Sequence, residues 1–235
     1  MRRLWRAFQN RMAFRKQLQT MRRDWDRRAR ENARHYVESS RTEWSDAEFA
    51  ANGEESMARY ILNDTVNIYQ GKDPAAMRVL EIGCGAGRVT RALVEHFGEV
   101  HAVDVSGEMV AQARRFLASH PNAHVYRNNG TDLRVVPSLP FDFAYSMIVF
   151  QHVPSYEVIE NYVREVHRLL RPGALFKFQV QGAANLDPVR PDDTWHGVAF
   201  SEERARAMAE RCGFEMRYAH GAGEQYFWLW FFRKP

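Results

Sequence analysis

The sequence predicts an α/β fold: a mostly parallel sheet with helices on both faces, preceded by a helical extension. Three observations carry this. From residue 79 onward, short apolar segments alternate with amphipathic segments at helical spacing, the pattern of strands joined through crossover helices. A glycine-rich turn, Gly83-Cys84-Gly85-Ala86-Gly87, separates the first of those strands from its helix. Two strand-like segments, 214–220 and 225–233, succeed one another across Gly221-Ala222-Gly223, which adds an antiparallel strand to the parallel set.

The elements come in order. Residues 3–38 read as helix: Leu4, Phe8 and Met12 recur every four residues, then Phe14, Leu18, Met21 and Trp25 at spacings of 4, 3 and 4. No Pro or Gly interrupts them, and Arg fills the polar faces. Asn52-Gly53 reads as a break, and 54–70 as a second helix with Met57, Ile61, Val66 and Tyr69 on its apolar side; Gly71-Lys72-Asp73-Pro74 punctuates its end. Residues 79–82 form a short buried strand, 88–96 a helix, 100–103 a second strand and 108–118 a second helix. Strands are expected at 124–126, 141–149 and 174–180, with a helix at 157–170 and Arg171-Pro172-Gly173 before the last of them. Residues 201–211 read as a helix with Ser201 as N-cap. In the closing hairpin, Tyr226 to Phe232 is apolar at every position, so that arm should lie inside the sheet, buried on both faces.

Composition narrows the function. The 235 residues are 45% hydrophobic and 26% charged, an ordinary globular balance. The net charge of +4 hides a split: residues 1–41 hold 13 Arg/Lys against 4 Asp/Glu, net +9, and residues 42–235 hold 20 against 25, net −5. A nucleic-acid-binding body is disfavoured, and any polyanion affinity is confined to the leader. Only Lys16, Lys72, Lys177 and Lys234 are lysines; the other 29 basic residues are Arg. Cys84 and Cys212 are the only cysteines, so neither a disulfide framework nor a cysteine metal site is expected, and a reducing cytoplasm is the simplest setting. No run of about 18 apolar residues suggests a membrane span. Met1-Arg2-Arg3 resembles a signal n-region, but Arg11, Arg15 and Lys16 interrupt the apolar stretch that would have to come next.

The glycine turn is the sharpest local signal. Glycines there let the backbone turn tightly and approach a ligand, with a helix N-terminus facing it. They fall at 83, 85 and 87. The dinucleotide spacing GxGxxG would need glycine at 88, where Arg88 stands, and no GxxxxGK[ST] loop is present.

The spacing ExGxGxG over 81–87, with Asp104 at the end of the second strand, resembles class I S-adenosylmethionine-dependent methyltransferases. Asn128-Asn129-Gly130-Thr131-Asp132-Leu133, the strand beginning Phe141-Asp142-Phe143, and Val166 to Gly173 match further motifs of that family in order, across residues 77–181. The resemblance implies a Rossmann-like seven-stranded sheet, mostly parallel with the last strand antiparallel. It implies a helical extension or lid at 1–70 and a methyltransferase domain at 71–235. Trp25 to Asn32 resembles the leader of some bacterial members.

The resemblance also implies S-adenosyl-L-methionine as cofactor and S-adenosyl-L-homocysteine as product. Glu81, Gly83, Gly85 and Gly87 would then form the cofactor turn, and Asp104 would take both ribose hydroxyls, as a carboxylate suits a vicinal diol. Met109 would lie near the adenine, with Val105, Gly130, Thr131 and Ser146 completing the site. Asn129 stands where the family usually has Asp; its amide oxygen can still accept from the adenine amino group, without charge. Arg27, Arg28 or Tyr36 of the leader are candidates for the methionine carboxylate.

His152 comes after the fourth strand, at the carboxyl end where open α/β sheets bind ligands. Two readings stay open: a base taking the acceptor's proton near neutral pH, or a residue that only shapes the site. Gln151, Gln179 and Gln181 are candidate polar contacts for the acceptor, and His196, beside Trp195, a second acid or base. Cys84 reads as packing within the turn rather than as a nucleophile. No Pro-Cys setting suggests cytosine C5 chemistry, no Asn/Asp-Pro-Pro-aromatic string suggests adenine N6 chemistry, and no metal site is expected. The expected function is methyl transfer to oxygen or nitrogen of a small polar acceptor. Transfer to tRNA or rRNA recruited by the leader, and a non-catalytic cofactor-binding scaffold, remain alternatives. The leader helix is also a candidate homodimer contact.

Overall fold

The computed structural model describes residues 2–183 and 194–235, with side chains from Lys16 onward. The leader is a helix, α1 (Arg2–Val37), kinked at Asn32. Asn32 Oδ1 accepts from the His35 N–H at 3.2 Å and Nδ2 donates to the Thr42 carbonyl at 2.6 Å, so its side chain replaces helical bonds at the kink. α2 (Asp46–Tyr60) opens on a capping box between Ser45 and Glu48.

Asn52-Gly53 does not break the chain as expected: α2 begins eight residues before the predicted start and runs through it. Gly53 faces α4 (Arg88–His96) so closely that a Cβ would lie 2.1 Å from the Arg88 carbonyl oxygen. The glycine permits helix contact and does not end the helix. After a turn at Leu62–Asp64 comes α3 (Thr65–Tyr69). Val66, predicted on the apolar face, is 86% exposed, and Ile68 is buried instead, because the turn resets the helical phase.

The sheet comprises β1 (Arg78–Ile82), β2 (Glu99–Asp104), β3 (Ala123–Arg127), β4 (Phe141–Ser146), β5 (Leu170–Val180), β6 (Phe214–His220) and β7 (Phe227–Arg233), in the order β3-β2-β1-β4-β5-β7-β6. β7 runs antiparallel to both its neighbours, β5 and β6. It lies inside the sheet, as its apolar run requires. β4 stops at Ser146, three residues short of expectation, and a tight turn leads to a short 3₁₀ helix at Phe150–His152. β5 starts four residues early, taking in Arg171-Pro172-Gly173 across a register shift.

α5 (Gly107–Phe116), α6 (Tyr156–Leu169) and α7 (Glu202–Arg211) complete the helices of the described residues. Alternate strand residues face two cores. Leu80, Ala144, Phe176, Phe178, Leu229 and Phe231 pack with α6 and α7. Val79, Phe143, Tyr145, Leu175, Trp228 and Phe232 pack with α4, α5 and with Met57, Ile61 and Ile68 of the extension. On that second face Lys177 is buried but paired: its Nζ lies 3.1 Å from Asp64 Oδ2, which also accepts from Trp230 Nε1. The strand order reverses between β1 and β4, which opens a crevice at their carboxyl ends.

Candidate active site

A cavity of about 420 Å³ occupies that crevice. Its floor is the turn after β1. The Gly83 and Cys84 N–H groups donate to the Val103 carbonyl at 2.7 and 3.1 Å, which folds the turn against β2. Gly83 has φ +77°, and a Cβ there would lie 2.1 Å from Val149 Cγ2. Glycine thus lets the turn after β4 press against the turn after β1. The Gly85 N–H donates to Asp104 Oδ2 at 2.9 Å and the Ser106 N–H to Oδ1 at 2.8 Å. Each carboxylate oxygen keeps acceptor capacity toward the cavity. Burial pushes the Asp104 carboxyl up to about 6, against the pull of these N–H donors.

Beside it, burial raises Glu81 to about 7, opposed by the Thr90 hydroxyl at 2.6 Å and the Arg88 charge. Arg88 is 3% exposed. Its Nη1 donates to Asn52 and Ser56, while its buried Nε has no hydrogen-bond partner.

The other wall is the turn after β4. Met147, Ile148, Val149, Gln151 and His152 all border the cavity. His152 is buried beside the stacked rings of Trp25 and Trp195, with centroids 5.3 and 5.0 Å away. The leader forms the roof: Met21, Trp25, Tyr36, Val37, Glu38 and Ser39 line it. α1 is fixed there by Asp26 Oδ1, which accepts from Ser106 Oγ at 2.6 Å and the Glu108 N–H at 3.3 Å, and by Gln112 Nε2 donating to the Ala29 carbonyl at 2.9 Å.

The structure brings together many, but not all, of the residues the sequence singled out. Glu81, Gly83, Gly85, Asp104, Val105, Met109 and His152 line the cavity. Gly87 instead begins α4 at φ +91°, with Ala113 and Leu117 against it. Asn129 Oδ1 accepts from the Thr131 N–H and hydroxyl and the Asp132 N–H, a local turn that consumes the amide. Asn128 reaches the cavity in its place, donating to the Tyr162 hydroxyl at 2.7 Å. Gly130 and Thr131 lie off the lining, as does Ser146, whose hydroxyl donates to the Ile82 carbonyl at 3.0 Å.

Tyr36 lines the cavity. Arg28 packs its guanidinium over the Trp25 and Trp195 rings, 4.8 and 5.1 Å from their centroids. Arg27 points outward to Asp24 and Glu31. Trp195 borders the cavity and His196 does not. Gln181 accepts from the Ala183 N–H, away from it. The Cys84 thiol is buried and held well above its ordinary range by burial and by Asp104 and Glu81, so it stays protonated.

Arg88, Asn128, Tyr162 and Tyr226 also line the cavity, although nothing in the sequence marked them for the site, and Met21 and Trp25 of α1, legible only as part of an apolar stripe, turn toward it as well.

Two further features bear on partners. Arg22 donates to the Asn129 carbonyl, Arg30 pairs with Glu108 and Arg34 with Asp46. Part of the leader's positive charge is therefore spent inside the chain. On the β2–β3 face, away from the cavity, ligand atoms of Glu99, His101 and His124 lie within 4.8 Å of one another. They form a hydrogen-bonded cluster closed by Arg78, whose Nε is 2.6 Å from Glu99. No described helix is long and apolar enough to cross a membrane.

Residues 79–173 match the methyltransferase domain family. The chain is 32% identical over 123 residues to the malonyl-[acyl-carrier protein] O-methyltransferase of Enterobacter lignolyticus, covering 52% of this chain and 45% of that protein. It is 29% identical over 137 residues to the ubiquinone biosynthesis O-methyltransferase of Xanthomonas axonopodis pv. citri, covering 53% and 56%. The chain thus spans about half the length of the curated relatives it matches. Its fold is similar to that of the DhpI complex with S-adenosylhomocysteine, at a TM-score of 0.63 and 20% identity over 93% of this chain and 97% of that one. It is also similar to that of the magnesium protoporphyrin IX methyltransferase of Synechocystis with S-adenosylhomocysteine bound, at 0.60 and 16% over 86% and 93%.

Proposed function

We propose that this chain, whose residues 79–173 match the methyltransferase domain family, is a class I S-adenosylmethionine-dependent enzyme that moves a methyl group from S-adenosylmethionine to oxygen or nitrogen of a small polar acceptor. The observation that carries this reading is one cavity that holds the glycine turn, Asp104 and His152 together under a roof supplied by α1.

The residues fit the cofactor's chemistry. Asp104 offers a carboxylate to a vicinal diol. Glu81 and Arg88 offer opposite charges suited to an amino-acid end, and the buried Arg88 Nε still lacks an acceptor. Gly83 and Gly85 keep side chains out of the floor.

When bound, S-adenosylmethionine would supply a sulfonium methyl carbon open to the acceptor's lone pair, with the carbon–sulfur electron pair returning to sulfur. The chain aligns the partners and excludes water, for which the Trp25, Trp195 and Tyr36 roof is suited. His152 holds the proton that the acceptor sheds, a contribution of roughly 10²–10⁴-fold in rate.

A small acceptor agrees with the −5 charge of residues 42–235, with the intramolecular pairing of leader arginines, and with the O-methyltransferase relatives. A cytoplasmic setting agrees with Cys84 and Cys212, both buried and unbridged.

Calorimetry with S-adenosylhomocysteine tests the cofactor assignment. Wild type should bind it, and Asp104→Ala should bind it far more weakly; absence of heat with wild type overturns the proposal.

A further inference from the structure

Two contacts of His152 have donor and acceptor roles that run in one direction only. The Ile148 N–H donates to Gln179 Oε1 at 2.9 Å. Ile148 itself has φ +55°, a conformation rare for a β-branched residue. The other end of the Gln179 amide faces the carbonyls of Val180 and Gln225 at 2.9 and 3.3 Å. A backbone N–H only donates and a carbonyl only accepts, so this fully buried amide has one orientation.

Its Nε2 therefore donates to Gln151 Oε1 at 2.9 Å. That turns Gln151 Nε2 toward His152 Nε2, 3.3 Å away. An amide NH₂ group has only protons to offer, so His152 Nε2 must accept. His152 Nδ1 lies 2.5 Å from the Trp195 carbonyl, which also only accepts, so Nδ1 carries the proton.

We propose that Gln151 and Gln179 are positioning residues that hold His152 as the neutral Nδ1–H tautomer, with the Nε2 lone pair kept for the acceptor. The inference rests on the reading of His152 as the base. At 3.3 Å the Gln151 bond is the longest of the contacts linking Ile148, Gln179, Gln151, His152 and the Trp195 carbonyl, and the acceptor's own O–H or N–H replaces it on binding. The proton then passes to Nε2 as the acceptor atom bonds to the methyl carbon. The imidazolium so formed keeps its Nδ1–H bond to the Trp195 carbonyl, a stabilisation available only once Nδ1 is the fixed donor. Gln179 touches no reacting atom and acts through Gln151.

The test is long-range ¹H–¹⁵N NMR on the full chain with labelled histidine, with the His152 signals identified by their loss in His152→Gln. Wild type at pH 7 should show Nδ1 protonated and Nε2 unprotonated. Gln151→Glu places a carboxylate on Nε2 and should move that nitrogen into the protonated range. Gln151→Leu, which removes the Gln151 donor and spares the Trp195 contact, should let part of the proton move to Nε2, and a proton still held wholly on Nδ1 overturns the role of Gln151. A wild-type proton on Nε2, or a Gln151→Glu spectrum like wild type, overturns the proposal. Should Gln151→Glu fail to fold, the wild-type tautomer alone decides. S-adenosylhomocysteine binding by wild type is measured in parallel. Loss of that binding in wild type refutes the cofactor assignment and leaves the tautomer result standing.

Discussion

Gly85→Ala puts the seating of the leader on the glycine turn to a quantitative test. The added Cβ stands 2.6 Å from Val37 Cγ2, well inside the usual carbon–carbon contact of about 3.5–4.0 Å. Gly85 has φ +54°, which costs an L-residue about 1–2 kcal/mol. Overpacking adds about 1–3 kcal/mol. The single variant should therefore lose about 2–5 kcal/mol. Val37→Ala removes two methyl groups from a half-buried side chain and should cost about 1–1.5 kcal/mol. In the double variant the clash disappears, because Val37 Cβ lies 3.7 Å from the added carbon. Its loss should fall short of the sum of the two single losses by the overpacking contribution, about 1–3 kcal/mol. Urea unfolding of the four proteins measures this coupling. Additivity within about 0.5 kcal/mol refutes the contact, since independent sites add to that tolerance.

The same geometry sets three other outcomes. Burial holds the Glu81 proton to about 7 in the folded chain, against an ordinary value of 4.5. The folded state thus binds more protons than the unfolded state between those values, and stability falls as pH rises across that window. Glu81→Gln should flatten this fall, by at most about 3 kcal/mol, in unfolding midpoints taken from about pH 5 to 8; an unchanged slope sinks the assignment. Gly53→Ala should lower stability by about 1–3 kcal/mol, reversing the gain of about 1 kcal/mol that alanine brings at an exposed helix position, and a thermal melt at or above the wild-type Tm contradicts the α2–α4 contact. His152→Ala should reduce kcat on the true acceptor by roughly 10²–10⁴-fold and leave the Kd for S-adenosylhomocysteine unchanged; undiminished turnover removes His152 from proton transfer.

The strand–helix alternation made the sheet legible in the sequence, down to the interior position of β7, because seven apolar residues in a row, Tyr226 to Phe232, fit only a strand covered on both faces. Turn chemistry was less legible. Asn52-Gly53 carries the usual signal of a break, yet the glycine is required by a neighbouring backbone that only the tertiary structure reveals. Val66 failed because a 3₁₀ turn at Leu62–Asp64 rotates α3 relative to α2. At the site, Glu81 and Asp104, near the ends of β1 and β2, and His152, in the 3₁₀ turn after β4, line the cavity. Asn129 does not, because three local N–H and O–H donors converge on its amide oxygen, and its neighbour Asn128 faces the cavity. The roof was the least legible part, since helical periodicity identifies an apolar face and not what that face covers.

The interior place of β7 has a consequence for synthesis. Residues 227–233 come after the other described strands of the sheet in chain order, yet β6 meets the sheet only through them. Until they emerge from the ribosome, β5 carries an open edge rich in phenylalanine, and the β6 segment has nothing to pair with. A nascent chain in that state is a template for pairing with another. Closure of the domain is therefore a late and non-local event, and the final strand works as a latch driven between two waiting neighbours.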